Sequence, residues 1–281
     1  MDAASEEKTA VCRVCMHRCR LQEGQRGACR ARINLDGVIR PENYGRLTAL
    51  NLDPIEKKPL KRFRPGSMIL SLGSYGCSLR CPFCQNHDIA QSDGTGLPVH
   101  EFTPAEITEI AKRAIPDGNI GVAYTYNEML VSYEFVRDTG RLVREAGMSN
   151  VLVTNGEASL QILDELLPFM DAMNIDLKGF TDEIYRRLGG DLDMVKSFIK
   201  TAASSCHVEI TSLIVPGMND SLEDMEREAG WIASVSPGIP LHITRYFPNY
   251  RMSEPPTDIG LMRKLKDIAQ RELEYVYLGN V

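Results

Sequence analysis

Cys77, Cys81 and Cys84 stand in the stretch GCSLRCPFCQN, spaced C-x3-C-x2-C, directly after a strand-like run at residues 68–72. An iron–sulfur cube with four irons normally takes four cysteine thiolates. Three closely spaced thiolates hold three irons and leave the fourth without a protein ligand. An open metal position separates a site that does chemistry from one that only fastens a fold; the rule is stated for zinc and transfers to iron. The competing reading is zinc, which would need a fourth ligand, and His87 is the only nearby candidate.

A second group, Cys12, Cys15, Cys19 and Cys29, is spaced C-x2-C-x3-C-x9-C among arginines. Four thiolates there could close a tetrahedral zinc site and stabilise a segment poor in apolar residues. A second iron–sulfur cluster for electron relay is the rival, and a metal-free segment the third reading. The chain has eight cysteines in 281 residues, and these two groups hold all but Cys206. A secreted disulfide framework would be shorter and would follow a signal peptide. The opening MDAASEEKTAVC has acids and no apolar core, so it is not read as such a signal. The expectation is a reducing cytoplasm and an anaerobic source. Cys206 reads as a plain buried thiol.

Composition is that of a globular protein, 43% hydrophobic and 25% charged. No apolar run approaches the roughly 18 residues that would suggest a membrane span. A formal net charge of −6 argues against general affinity for nucleic acid or anionic membrane. The basic run Lys57, Lys58, Lys61, Arg62, Arg64 is a local exception. It reads as a solvated edge, or as a docking site for an acidic electron carrier.

These residues need a scaffold. Residues 30–50 alternate apolar and polar around Asp36-Gly37, a hairpin signal. Pro54, Pro59 and Pro65 punctuate a linker, and the division falls near residue 60: a cysteine-rich segment at 1–60 and a larger domain at 61–281. Strand patterns at 68–73, 120–124, 150–154, 172–177, 208–215 and 241–247 alternate with helical patterns, and a short apolar strand at 275–278 follows the last helix. Alternating strand and helix imply a parallel sheet with right-handed crossovers. Six units are too few for an eight-fold barrel. The fold class expected is α/β: an open partial (β/α)6, TIM-like barrel with a small cysteine-rich N-terminal segment. Its functional residues should lie at the C-terminal ends of the strands.

Polar residues fall there. The cysteine loop follows the first strand, Thr125, Asn127 and Glu128 the second, Thr154-Asn155-Gly156 the third, and Asp176 with Lys178 the fourth. Asn155, Asn219 and Asp220, taken singly, read as turn or cap residues. Asp176 and Lys178 share a strand face at i and i+2, as a functional pair or a structural ion pair. His242 reads as a satisfied core histidine.

The cysteine spacing, with Phe83 before the last cysteine and Gly76 before the first, resembles the radical SAM superfamily. That resemblance implies a [4Fe-4S] cluster on Cys77, Cys81 and Cys84 whose open iron is chelated by the amino and carboxylate groups of S-adenosylmethionine (SAM). One electron, from a low-potential flavodoxin or ferredoxin, then splits SAM and releases a 5′-deoxyadenosyl radical. Acceptors for the SAM amino group are Glu128 and the turn carrying Thr125 and Asn127. Asp176 and Lys178 are available to its sulfonium and carboxylate, and Phe83 and Tyr124 to its adenine.

YTYNE, VTNG, NIDLKG, LIVPGMND and ITRYFPNY narrow the likeness to the pyruvate formate-lyase activating enzyme group. The N-terminal cysteines with NLDPIEKKPL and CPFCQN are most similar to the AmmeMemoRadiSam system radical SAM enzyme. Val153 replaces an aspartate that the group associates with a monovalent cation, and Met129 a common proline. The substrate implied is an unidentified small molecule or protein side chain. The alternatives are an activase that installs a glycyl radical on a partner enzyme, and a non-enzymatic electron-transfer or sensing protein that leaves SAM intact.

Overall fold

The computed structural model describes residues 8–281. Its centre is one eight-stranded sheet: β1 (Ala49–Pro54), β2 (Met68–Gly73), β3 (Asn119–Tyr124), β4 (Ser149–Thr154), β5 (Ala172–Asp176), β6 (His207–Ile214), β7 (Leu241–Arg245) and β8 (Val276–Gly279). Spatial order follows chain order from one edge to the other. From β2 to β8 every pairing is parallel; β1 runs antiparallel to β2. β1 and β8 do not pair, so the sheet is a partial barrel, open on one side.

The βα alternation is as the sequence implies, with β8 completing the sheet beyond the sixth unit. The main helices are Pro104–Arg113, Tyr133–Glu145, Leu160–Leu166, Leu192–Ala203, Leu222–Val235 and Ile259–Ala269. Each buries an apolar stripe against the outer face of the sheet, where Leu152, Met173, Ile175, Ile210 and Ile243 are fully covered. The first starts on a complete capping box, Thr103 and Glu106 each accepting a hydrogen bond from the other's backbone N–H.

Two features were not legible in the sequence. The antiparallel strand β1 lies on the N-terminal side of the division expected near residue 60, yet it belongs to the main sheet. The residues after it, read as a linker, turn inward and fill the bottom of the barrel. Ile55 and Leu60 are fully buried against Ile69, Ala123, Val151 and Ala172. Burying each such side chain is worth about 2 kcal/mol. Their backbone is tied to the sheet: Asn174 Nδ2 donates to the Pro59 carbonyl at 2.9 Å. The Lys61 and Arg62 N–H groups donate to the Glu209 carboxylate at 3.0 and 2.8 Å.

The N-terminal segment holds the expected hairpin, Arg32–Leu35 with Val38–Pro41, turning at Asp36 and Gly37 in the left-handed region. Before it, Ala10–Val11 pairs with Arg20–Leu21, and Cys15 lies in the connecting loop. This segment packs on the cysteine loop of the barrel. Cys77 N–H donates to the Cys29 carbonyl at 3.3 Å, and His17 Nε2 lies 2.8 Å from the Ser78 carbonyl. Gly76 makes the approach feasible. Its φ is +84°, and a Cβ there would stand 2.6 Å from the Cys29 carbonyl oxygen. Among the described residues no helix is long and apolar enough to cross a membrane.

Candidate active site

A cavity of about 700 Å³ opens at the C-terminal ends of the strands. Cys77, Cys81, Cys84 and Phe83 form one wall; Thr125, Asn127, Glu128, Asp176 and Lys178 reach it from the neighbouring strand ends. The structure therefore brings together all the expected barrel-site residues except Tyr124. That side chain points to the helix layer, where its hydroxyl lies 3.0 Å from Asn150 Oδ1. Strand β3 places Ala123 inside and Tyr124 outside, so Tyr124, expected at the adenine, does not reach the cavity. Besides Phe83, the cavity wall contains the aromatic Tyr126, held at φ +69° over Gly73. Its hydroxyl donates to Asp53 Oδ2 at 2.6 Å.

Two of the gathered residues serve the protein itself. Asn127 Oδ1 accepts from Ser74 N–H at 2.8 Å, and its Nδ2 donates to the Tyr75 and Gly76 carbonyls at 3.1 and 2.9 Å. It clamps the entrance of the cysteine loop. Glu128 accepts from Leu130 N–H, Thr154 Oγ1 and Asn155 N–H at 2.8–3.1 Å. Burial lifts its carboxyl to about 7 against those donors.

The three thiols line one cavity wall from a single loop, the type of donor set that iron–sulfur clusters take. Burial pushes Cys81 up to about 12 and raises Cys77 and Cys84, so without metal they stay protonated at neutral pH. Loading a cluster must therefore expel protons. Lys178 lies near enough to Cys81 and Cys84 to favour their thiolates. Asn155 Nδ2 lies 3.6 Å from Cys77 Sγ, and Leu79 N–H 3.4 Å from the same sulfur. Donors of this kind tune the potential of a cluster. Among the described residues no three His, Cys, Asp or Glu side chains converge as ligands of a single ion do. A cubane bonds each thiolate to a different iron, so its ligands need not converge. His87 is turned elsewhere, stacked on Tyr250 with ring centroids 4.4 Å apart.

Asp176 and Lys178 form an ion pair at 2.8 Å in the cavity wall. Burial works against the Lys178 ammonium, yet Asp176 and the Cys81 sulfur hold its pKa above the ordinary lysine value. Val153 lines the same cavity. At the N-terminus, burial raises Cys15 to about 12, and Cys29, Cys12 and Cys19 each add to the rise, so the four thiols lie within mutual electrostatic reach.

Glu157, behind the cysteine loop, is 2% exposed. One oxygen accepts from Asp191 N–H at 2.7 Å and the other has no partner. Burial lifts its pKa to about 8. The folded state then keeps a proton that the unfolded chain releases, so stability is full below about pH 4.5 and falls as pH rises to about 8. Glu157→Gln should flatten that fall, raising stability at pH 8 by on the order of 2 kcal/mol over wild type and changing little at pH 4.5. Denaturant melts at the two pH values measure it.

The family model described as Radical SAM superfamily matches residues 72–229, over half of the chain, and the protein belongs to that superfamily. Membership implies a [4Fe-4S] cluster, SAM and an enzyme of the radical SAM type. Among relatives, an uncharacterized protein of Methanocaldococcus jannaschii is 40% identical over 280 residues, 98% of this chain and 83% of its own length. The pyruvate formate-lyase 1-activating enzyme of Escherichia coli K12 is 31% identical over 156 residues, 54% of this chain and 63% of that enzyme. A solved domain of pyruvate-formate lyase-activating enzyme from Bacteroides vulgatus aligns with a TM-score of 0.50 at 19% identity, covering 57% of this chain and 99% of that one. Streptococcus suis SuiB bound to S-adenosylmethionine aligns at 0.58 and 16% identity, over 75% of this chain and 51% of that one. These structural likenesses carry the fold.

Proposed function

We propose that Cys77, Cys81 and Cys84 hold a [4Fe-4S] cluster with one iron open to SAM, and that the protein abstracts hydrogen from an unidentified substrate, in the manner of the AmmeMemoRadiSam type. The observation that carries this reading is the meeting of three thiols, Cys81 buried and Cys77 and Cys84 half-buried, with the Asp176–Lys178 pair in one cavity at the strand ends. When bound and reduced by a low-potential flavodoxin or ferredoxin, the cluster supplies the electron that splits SAM into methionine and a 5′-deoxyadenosyl radical.

The chain's own residues do the rest. Lys178 offers the SAM carboxylate a cation, and Asp176 offers its sulfonium an opposite charge. Phe83 and Tyr126 give its adenine apolar faces. Thr125 and the backbone of its turn border the site, Asn127 and Glu128 keep that turn rigid, and the filled barrel floor keeps water from the radical's path. No general acid or base is needed for the abstraction. Reconstitution without oxygen, with dithionite and SAM, should yield 5′-deoxyadenosine; none above a Cys77/Cys81/Cys84 triple-alanine control would return the protein to the electron-transfer or sensing class. Deuterium passing from a candidate substrate into that product would identify the target.

The likeness to the Escherichia coli activating enzyme favours a second reading, a glycyl-radical activase acting on a partner's glycine loop. Transfer of deuterium from a glycine-labelled partner would establish it.

For Cys12, Cys15, Cys19 and Cys29 we keep zinc as the first reading and a second cluster as its rival; the four thiols do not converge as the ligands of one ion among the described residues, so zinc binding would have to draw them together. The triple-alanine variant should retain about one zinc per chain and no iron. Retained iron in place of zinc would favour the relay cluster, and neither metal would leave a metal-free segment.

A further inference from the structure

The cavity extends well beyond the cysteine loop. Its far wall is made by Thr211, His242, Thr244 and the end of β8, with Lys61 rising from the floor. His242 pairs in register with Thr211, and Thr211 with Asp176. His242 is therefore two strands, about 10 Å, round the barrel from the pair assigned to SAM.

Behind His242 lies Glu209, whose side chain is fully buried. It takes His242 Nε2 at 2.5 Å, His207 Nε2 at 3.0 Å and the two floor N–H groups of Lys61 and Arg62. Burial opposes its charge, but these donors bring its pKa down to about 2. An ionised carboxylate only accepts. His242 Nε2 thus carries hydrogen toward Glu209, and Nδ1 is the ring nitrogen left for a molecule in the cavity; it donates to an anion when the ring carries both protons, the form whose charge the Glu209 carboxylate balances.

Lys61 stands apart from the other cations of this lining. Lys57 and Lys58 are matched by Asp53, and Lys178 by Asp176. Lys61 has no carboxylate at ion-pair distance among the described residues; its ammonium lies 5.1 Å from the Tyr277 ring centroid, beside His242. A cation without a carboxylate and a fixed imidazole, both lining the cavity and both set against the Tyr277 ring at the end remote from the cysteines, suit an anion.

We propose that Lys61 and His242 form a subsite for the anionic group, carboxylate or phosphate, of a small-molecule substrate. The subsite rests on the radical SAM reading and specifies its substrate class. Glu209 is a positioning residue: it fixes the imidazole and ties the floor carrying Lys61 to the same carboxylate. An anion held there would place the rest of a small molecule between the subsite and the 5′ carbon of SAM.

The test is an imidazole NMR titration of the cluster-loaded, oxidised protein with inorganic phosphate and, separately, with malonate. Five histidines give few signals, and His242→Gln identifies the relevant one by its loss. The proposal expects the His242 signal to shift saturably with at least one anion, and the surface change Lys61→Met to weaken that binding at least about fivefold, a loss of roughly 1 kcal/mol. Which anion binds tells phosphate from carboxylate. Should His242→Gln fail to fold, the Lys61→Met comparison still decides. No imidazole shift with either anion, or a shift of equal affinity in Lys61→Met, overturns the subsite. The same preparation is assayed for 5′-deoxyadenosine, so a silent titration beside intact SAM cleavage removes the subsite alone.

Discussion

Replacing Cys81 by alanine is expected to abolish cluster assembly and, with it, SAM cleavage, a loss of at least about a thousandfold in 5′-deoxyadenosine formed. Cys81 is 8% exposed and lies between its two companions in sequence, with Leu79 and Phe83 packed around the loop. Two thiolates cannot hold a cubane that already lacks its fourth cysteine. The fold should survive, because a thiol-to-methyl change in this small apolar cluster removes little buried area. Iron content and visible absorbance measure the first effect, and circular dichroism the second. Iron retained at wild-type level would move the ligand set elsewhere, Cys12, Cys15, Cys19 and Cys29 being the obvious place.

Lys178→Met is expected to have the next largest effect, and for a different reason. The ammonium is held by Asp176 at 2.8 Å, and the carboxylate is the partner that survives the change. With Lys178 gone, Asp176 faces the SAM carboxylate as a like charge, and Cys81 and Cys84 lose the cation that favours their thiolates. A charge-assisted hydrogen bond in such a place is worth about 1.5–3 kcal/mol, so SAM affinity should fall at least tenfold. Lys178→Arg should restore part of it. Equilibrium binding of SAM to the oxidised, cluster-loaded protein reads this directly. An unchanged affinity would make the pair a structural one.

The parts of this site that the sequence disclosed are those whose signal is local. The cysteine spacing lies within one loop, and the polar residues that follow each strand mark the barrel mouth whichever way the strands tilt. Asp176 and Lys178 were legible as partners because alternate residues of a strand share a face. Tyr124 reads as a cavity residue because β3 is covered on both sides, and the apolar run at residues 120–124 does not announce which face is inner. Asn127 and Glu128 were placed at the mouth but with their polar groups free; their commitments to Ser74, Tyr75, Gly76, Leu130 and Asn155 come from segments far off in sequence or from turn geometry.

The floor was hidden by its prolines. Pro54, Pro59 and Pro65 suggested a linker, whereas Pro54 ends an edge strand, where a missing donor is tolerated. Ile55 and Leu60 then find their burial only once β2 to β5 have assembled above them. His242 is buried and held by Glu209, as expected of a satisfied core histidine; its partner lies one strand away with no motif to announce it. The packing of Cys29 against Gly76 was equally silent, although the left-handed conformation of that glycine explains why no side chain could stand there.

The central claim is a three-thiolate cubane with one iron left for SAM. Electron–nuclear double resonance on the reduced protein, with SAM labelled with ¹⁵N at the amino group and ¹⁷O at the carboxylate, tests it most directly. The account predicts hyperfine coupling from both labels, lost in the Cys81→Ala protein. A four-iron cluster that shows neither coupling and keeps an endogenous side chain on every iron would contradict it.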